Sequence, residues 1–256
     1  LKTSVIAPLG LSPPVVTEFI QYLDLAESSL PDYLFLMTTN DKEVMEGAEL
    51  IKTAMSLKYR KCRVNTISLP FPDLDRQERV WEFTRLAGKL LVDQRLKYNV
   101  RRVHVLISGG RKIMGIQLAM LCQIFPTSGV YHVVARDVRV ASERLEAIRG
   151  LISELAKDSD KEDFYREHSE EFDPVMWPPM SEYSVVKLPI LPYPQEVLER
   201  LVRVLSSPRT RRKEAAVPEE LLVMLWEGGL LQVVEGWIIP TEIGRELGEA
   251  LGSVLG

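Results

Sequence analysis

From residue 1 to about residue 135, short apolar runs alternate with amphipathic ones, and this alternation limits the folds open to the chain. Strands are expected at Ser4–Leu9, Tyr33–Thr38, Arg63–Leu69, Arg102–Ile107 and Gly129–Val134. Between them, helical spacing marks Val15–Leu25, Lys42–Leu57, Leu74–Tyr98 and Ile113–Phe125, with Asp73 offered as N-cap of the third. Strands alternating with helices form a parallel sheet covered on both faces. The strands are mostly continuous apolar runs, as burial on both faces requires. In such a doubly wound sheet the strand order reverses between the first and fourth strands, and ligands bind there, outside the carboxyl ends. The loops meeting at that point are Gly10–Pro14 and Ser108–Lys112.

Both loops carry residues suited to an anion. In "LISGGRKIM", Gly109 and Gly110 permit positive φ and close approach, and successive N–H groups there can cradle an anion at the start of a helix. Arg111 can grip a phosphate through two parallel hydrogen bonds, and Lys112 adds a point charge. The segment is neither G-x-x-x-x-G-K-[ST] nor G-x-G-x-x-G, which argues against a P-loop and a dinucleotide cofactor. In "GLSPPVVTE", Ser12 precedes two prolines that stiffen the entry into the helix. Ser12 or Thr17 can act as a helix cap; alternatively, the Ser12 hydroxyl is held beside a phosphate or ribose.

The rest of the chain divides into a charged insertion and a compact tail. Residues from about 139 to 180 are highly charged, with an apolar stripe only in the first half, and read as one helix followed by a solvated helical segment. A strand at Tyr183–Leu188 and a helix at Gln195–Leu205 follow. "SSPRTRRKEAAVP" reads as a linker bearing Arg209, Arg211, Arg212 and Lys213. After it come a helix (Glu219–Trp226), a hairpin around Glu235-Gly236 and a last helix capped by Thr241, a winged-helix pattern. The expected division is residues 1–206 for the α/β domain and 207–256 for linker and winged helix.

Composition narrows the function. The formal net charge of −4 leaves no general basic coat, so an anion site has to be a local concentration of Lys and Arg. Cys62 and Cys122 are too few for a disulfide framework or a Cys-x-x-Cys metal site. The N-terminal stretch is too short and too early broken for a signal peptide, and no run approaches the roughly 20 apolar residues of a membrane span; a soluble, cytoplasmic protein is expected. His104 and His132 fall inside strands, where packed core residues are the rule. No H-E-x-x-H, G-x-S-x-G or clustered Asp motif occurs, so the chemistry has to run on cations, hydroxyls and positioning.

Taken in order, "APLGLSPPVVTEF", "LMTTND", "ISGGRKIM" and "VYHVV" resemble the CARF domains of type III CRISPR systems, and archaeal CARF ring nucleases in particular, over about residues 3–190. The resemblance implies a Rossmann-like CARF domain, a homodimer, and cyclic tetra-adenylate bound across its two-fold axis. It implies no cofactor and no metal: a ribose 2′-OH attacks its own 3′-phosphate, giving linear di-adenylate with a 2′,3′-cyclic phosphate and switching off the antiviral signal. Carried over by position, Ser12, Lys112 and Lys187 are the expected catalytic residues. Gly10, Leu11, Thr38, Thr39, Asn40, Ser108, Gly109, Gly110, Arg111 and Tyr131 are the expected ligand contacts.

A second reading is a transcription regulator that senses the same messenger without cutting it and binds DNA through the winged helix. "PRTRRK" favours it; "PEELLVMLWEGG", acidic and apolar where a recognition helix needs Lys and Arg, does not. A messenger-activated RNase of the HEPN type ranks below both, because no Arg-x4–6-His motif occurs.

Overall fold

The computed structural model describes residues 1–255. Chain order runs β1 (Thr3–Leu9), α1 (Pro14–Leu25), β2 (Tyr33–Thr38), α2 (Lys42–Lys58), β3 (Arg63–Ser68), α3 (Gln77–Leu96), β4 (Arg102–Leu106), α4 (Lys112–Ile124) and β5 (Gly129–Ala135). Four short helices follow: α5 (Val138–Ala147), α6 (Arg149–Lys157), α7 (Lys161–Glu167) and α8 (Ser169–Met176). A 3-10 turn (Met180–Glu182) then leads into β6 (Tyr183–Leu188).

The six strands form one sheet in the order β3-β2-β1-β4-β5-β6. All neighbours pair parallel except β6, which runs antiparallel to β5. This is the doubly wound order whose reversal lies between β1 and β4. Every residue of β1 is buried, because apolar helices cover both faces of the sheet centre. One core joins α1 and α2 to the sheet; the other joins α3 and α4.

The third helix begins at Gln77, not Leu74. Asp73 accepts a hydrogen bond from the backbone N of Leu74 at 2.8 Å instead of capping the helix, whose N-cap position falls to Arg76. The charged insertion differs more from its expected form. It is not one helix with a solvated extension but a packed layer of four helices over α1 and α2. Leu145, Ile148, Ile152, Leu155, Tyr165, Phe172, Val175 and Met176 are all buried in the α1–α2 core. Each short helix exposes most of its circumference, so its few core residues are diluted among charges and no single long stripe forms. The layer is also hydrogen-bonded down: Thr17 Oγ1 donates to the Met176 carbonyl at 2.5 Å, and Gln21 Nε2 to the Pro178 carbonyl at 3.0 Å.

The tail comprises α9 (Gln195–Ser206), β7 (Thr210–Arg211), a 3-10 turn (Arg212–Glu214), α10 (Glu219–Glu227), β8 (Leu231–Val234), β9 (Trp237–Pro240) and α11 (Glu242–Leu255). The stretch expected as a linker therefore supplies a strand of a second, antiparallel sheet in the order β7-β9-β8. Glu235 and Gly236 both take positive φ, as a tight two-residue hairpin demands, and Thr241 Oγ1 accepts from the backbone N of Gly244 as its helix cap. Leu251 of α11 is buried in the α3–α4 core, and Val204 of α9 in the core of the tail, so apolar packing runs across residue 206. No helix among the described residues is long and apolar enough to cross a membrane.

Because Phe172 is fully buried in the same core as α1, Phe172→Ala is expected to cost about 3–5 kcal/mol in global stability. Urea unfolding followed by circular dichroism checks this. A single transition shifted as a whole is expected, whereas separate melting of the helical layer contradicts its place in the core.

Candidate functional site

The two loops at the strand-order reversal are bonded to each other. The backbone N of Gly10 donates to the Gly109 carbonyl at 2.6 Å. The approach leaves no room for side chains: a Cβ on Gly10 would lie 2.8 Å from the Gly109 oxygen, and one on Gly110 would lie 2.6 Å from Pro8 Cβ. Gly109 itself sits at φ +102°, a conformation L side chains rarely adopt. The glycines of "SGG" thus bring the second loop against the first, whatever they also admit from solvent.

Around this junction the side chains divide. Ser12 is half-buried and does not cap α1; the N-cap position is Pro13, no side chain caps it, and the Ser12 hydroxyl has no hydrogen-bond partner among the described residues. Thr17 is also no cap, being turned onto Pro14 and Met176 carbonyls. Lys112 opens α4, exposed and without a carboxylate partner among the described residues, and no side chain caps that helix. The N–H groups of Lys112 and Ile113 are thus left without a partner among the described residues beside an ammonium, while the backbone N of Met114 donates to the Arg111 carbonyl at 2.9 Å. Arg111 is partly committed: its Nε lies 3.4 Å from Asp73 Oδ1. Ser108 Oγ accepts from the backbone N of Val133 at 2.9 Å, extending the β4–β5 ladder by one side chain. Leu11 is exposed, and its carbonyl accepts from Arg149 of α6 at 2.7 Å.

The second-strand residues reach the same end of the sheet with less to offer. Thr38 and Thr39 are buried; Thr38 Oγ1 donates to Met45 Sδ at 3.5 Å, and Thr39 Oγ1 is unpartnered. Only Asn40 is exposed. Tyr131 lies beside the end of β4: it pairs with Leu106, and its carbonyl accepts from the backbone N of Ile107 at 2.9 Å, one residue before Ser108. Tyr131 is a buried core ring packed 4.9 Å from the Phe19 ring. The antiparallel register sets Lys187 opposite it on the edge strand, with its ammonium 5.7 Å from the Tyr131 ring centre. His104 is buried, and burial holds its imidazole down to about 4, so it is neutral.

Sequence reasoning missed Glu18. It lies on α1, 7% exposed, and forms no hydrogen bond or ion pair among the described residues. With Ser12 it lines a cavity of about 470 Å³ between α1, α5 and α8. Burial, and then the charge of Glu182, push its carboxyl up to about 7. A signal was present: α1 is apolar on nearly every side, the mark of a helix covered on two faces, and Glu18 stands in the middle of it.

The raised value has a consequence for stability. The folded state holds the Glu18 proton more tightly than the unfolded chain, so the stabilisation is complete below about pH 4.5 and is lost as pH rises towards about 7. A difference of this size is worth about 3 kcal/mol. Denaturant unfolding of wild type and Glu18→Gln across that range is expected to show the loss in wild type alone; parallel curves would contradict it.

Residues 12–221 match the family model described as CRISPR-associated protein NE0113. No curated protein matches the chain. Among solved structures, the chain is similar to Enterococcus italicus Csm6 bound to cyclic hexa-2′-fluoro-hexa-dAMP, at 14% identity and a TM-score of 0.49, over 80% of this chain and 46% of that one. The chain thus spans less than half the length of that protein. With the family model covering the first loop from Ser12 on, the second loop, the helical layer and the start of α10, the chain belongs to the CRISPR-associated NE0113 family.

Proposed function

We propose that the chain is a CARF-type ring nuclease of a type III CRISPR system, which binds cyclic tetra-adenylate between two copies of itself and cuts it without a metal. The observation that carries this reading is the joined pair of loops, with the unpaired Ser12 hydroxyl on one and the unpaired Lys112 ammonium at the bare N-terminus of α4 on the other. These are groups for phosphate: N–H donors, a fixed dipole and a mobile charge. The family assignment supports the CRISPR context.

The surface of α4 supports the dimer. Lys112, Ile116 and Met120 share one helix face, and the two apolar residues are 55% and 51% exposed. An isologous contact along this face would set two Lys112 residues and two loop pairs around one axis, which a cyclic tetranucleotide can share. In each half, a ribose 2′-oxygen attacks the adjacent 3′-phosphate in line. The O2′–P bond forms, the P–O5′ bond breaks, and the 5′-oxygen leaves with a proton. Ser12 positions the phosphate, and Lys112 offsets charge on its oxygens; two cuts give two linear di-adenylates with 2′,3′-cyclic phosphate ends. The reading rests on these two residues and not on Lys187.

A sensor that regulates transcription is the second reading, and one observation favours it. The sheet order β7-β9-β8, with α10 before the hairpin, supports a winged helix, and the guanidiniums of Arg209 and Arg211 lie 4.5 and 4.6 Å from the Trp237 ring centre. Against it, α10 exposes Glu219, Glu220, Met224 and Trp226, which a DNA groove does not attract.

In EDTA, purified protein is expected to convert cyclic tetra-adenylate to linear products. Lys112→Ala is expected to lower kcat on the order of 100-fold, and Ser12→Ala to lower kcat more than it raises KM; both are read by chromatography of quenched reactions. Intact ring after long incubation with saturating protein contradicts the nuclease reading. A salt-sensitive shift of promoter DNA alongside it would favour the regulator.

A further inference from the structure

The cavity beside Ser12 has the form of a small-molecule site. Its volume of about 470 Å³ falls within the roughly 300–1,000 Å³ range of ligand pockets. Its walls are mixed, with Val15, Leu145 and Val175 among the apolar residues and several polar and charged groups converging on it. Three carboxylates line it, and two are already engaged. Asp137 accepts from the backbone N of Val140 at 3.1 Å as the cap of α5, and Glu182 accepts from Arg144 at 2.5 Å. Glu18 alone has no partner. The Tyr183 hydroxyl, close enough for the charge of Glu18 to add to burial in raising its phenol to about 12, is buried and unpartnered as well. The Tyr183 hydroxyl is withdrawn from water without a hydrogen bond, and the Glu18 carboxyl beside it opens only onto the cavity, so a polar ligand edge there would complete groups the protein leaves unpaired.

We infer that this cavity is a nucleobase pocket that takes an adenine, with the Glu18 carboxyl reading the edge that carries the 6-amino group. Adenine places an amino donor next to a ring-nitrogen acceptor, and a neutral carboxyl matches both: its hydroxyl donates to the ring nitrogen and its carbonyl accepts from the amino group. An ionised carboxylate only accepts. It would meet the adenine ring nitrogen lone pair against lone pair, and it would suit the adjacent N–H donors of guanine instead. The raised Glu18 value supports the neutral form at and below neutral pH. The charged and titratable groups facing it are Glu182 from the 3-10 turn, Tyr183 from β6, Arg136 and Asp137 ahead of α5, and Arg144 on α5; α8 presents Pro174 and Val175. As the base of a cyclic oligoadenylate, this adenine rests on the function proposed above, because Ser12 borders both the loop junction and the cavity. As a free nucleoside it does not.

Two probes separate the two claims. Full-length protein with labelled Leu and Val methyls is titrated with adenosine and with guanosine, and cyclic tetra-adenylate binding is followed by calorimetry, at about pH 6 and about pH 8.5. Adenosine is expected to shift the Leu145 and Val175 methyls, with affinity falling roughly tenfold between the two pH values as Glu18 ionises. In Glu18→Gln, whose amide also donates and accepts, the affinity is expected to stay level with pH. In Glu18→Leu, which fills the site with an apolar side chain, it is expected to drop roughly tenfold at both. Unmoved Leu145 and Val175 methyls, or a Glu18→Leu protein that binds as wild type, would overturn the inference. If adenosine binds here and cyclic tetra-adenylate does not bind at all, the pocket stands and the proposed function falls. If the ring is bound and cut identically by all three proteins, the function stands and the pocket falls.

Discussion

The hydrogen bond from Gly10 to Gly109 is the contact on which the arrangement of the site depends. A parallel sheet whose order reverses between β1 and β4 leaves a crevice between the loops that follow them. In this chain the crevice is narrowed until the backbones touch, and only glycine fits on both sides. The contact sets the first turn of α1 and the first turn of α4 side by side, both without side-chain caps. In α1 the first N–H groups turn back onto the Ser12 and Pro13 carbonyls, in α4 those of Lys112 and Ile113 have no partner among the described residues, and the Ser12 hydroxyl and Lys112 ammonium stand there unpaired.

The helical layer is the second determinant. It turns α1 from a surface helix into one covered on both sides, and this buries Thr17, Glu18 and Gln21 along with the apolar residues. Thr17 and Gln21 answer burial by bonding carbonyls of the covering layer. Glu18 has no such answer and faces the cavity between them. The same layer reaches the first loop directly, through Arg149 on the Leu11 carbonyl. A segment that reads as charged surface is thus one wall of the candidate site.

The sheet was legible because its strands are long apolar runs with turn residues at their ends, and because strand–helix alternation admits few topologies. Gly109, Gly110 and Lys112 could be singled out for the same reason: the reversal point is a property of the fold class. Ser12 was legible as a candidate, but not as uncapped, since the choice between cap and free hydroxyl depends on backbone angles at Pro13. That β6 runs antiparallel and sets Lys187 opposite Tyr131 was not legible, because nothing local in the strand reveals its direction. The four-helix layer was missed because each helix contributes only a few core residues, below what periodicity detects in a charged background. Glu18 was missed with it, since its burial comes from residues more than a hundred positions away.

Two copies of the loop junction sharing one ring is the central claim, and the stoichiometry of binding tests it most directly. Analytical ultracentrifugation of the protein with increasing cyclic tetra-adenylate, detected at the nucleotide and protein wavelengths, reports both mass and ligand content of the same species. The account requires a dimer that saturates at one ring per two chains. A monomer carrying one ring, or a dimer carrying two, would contradict it.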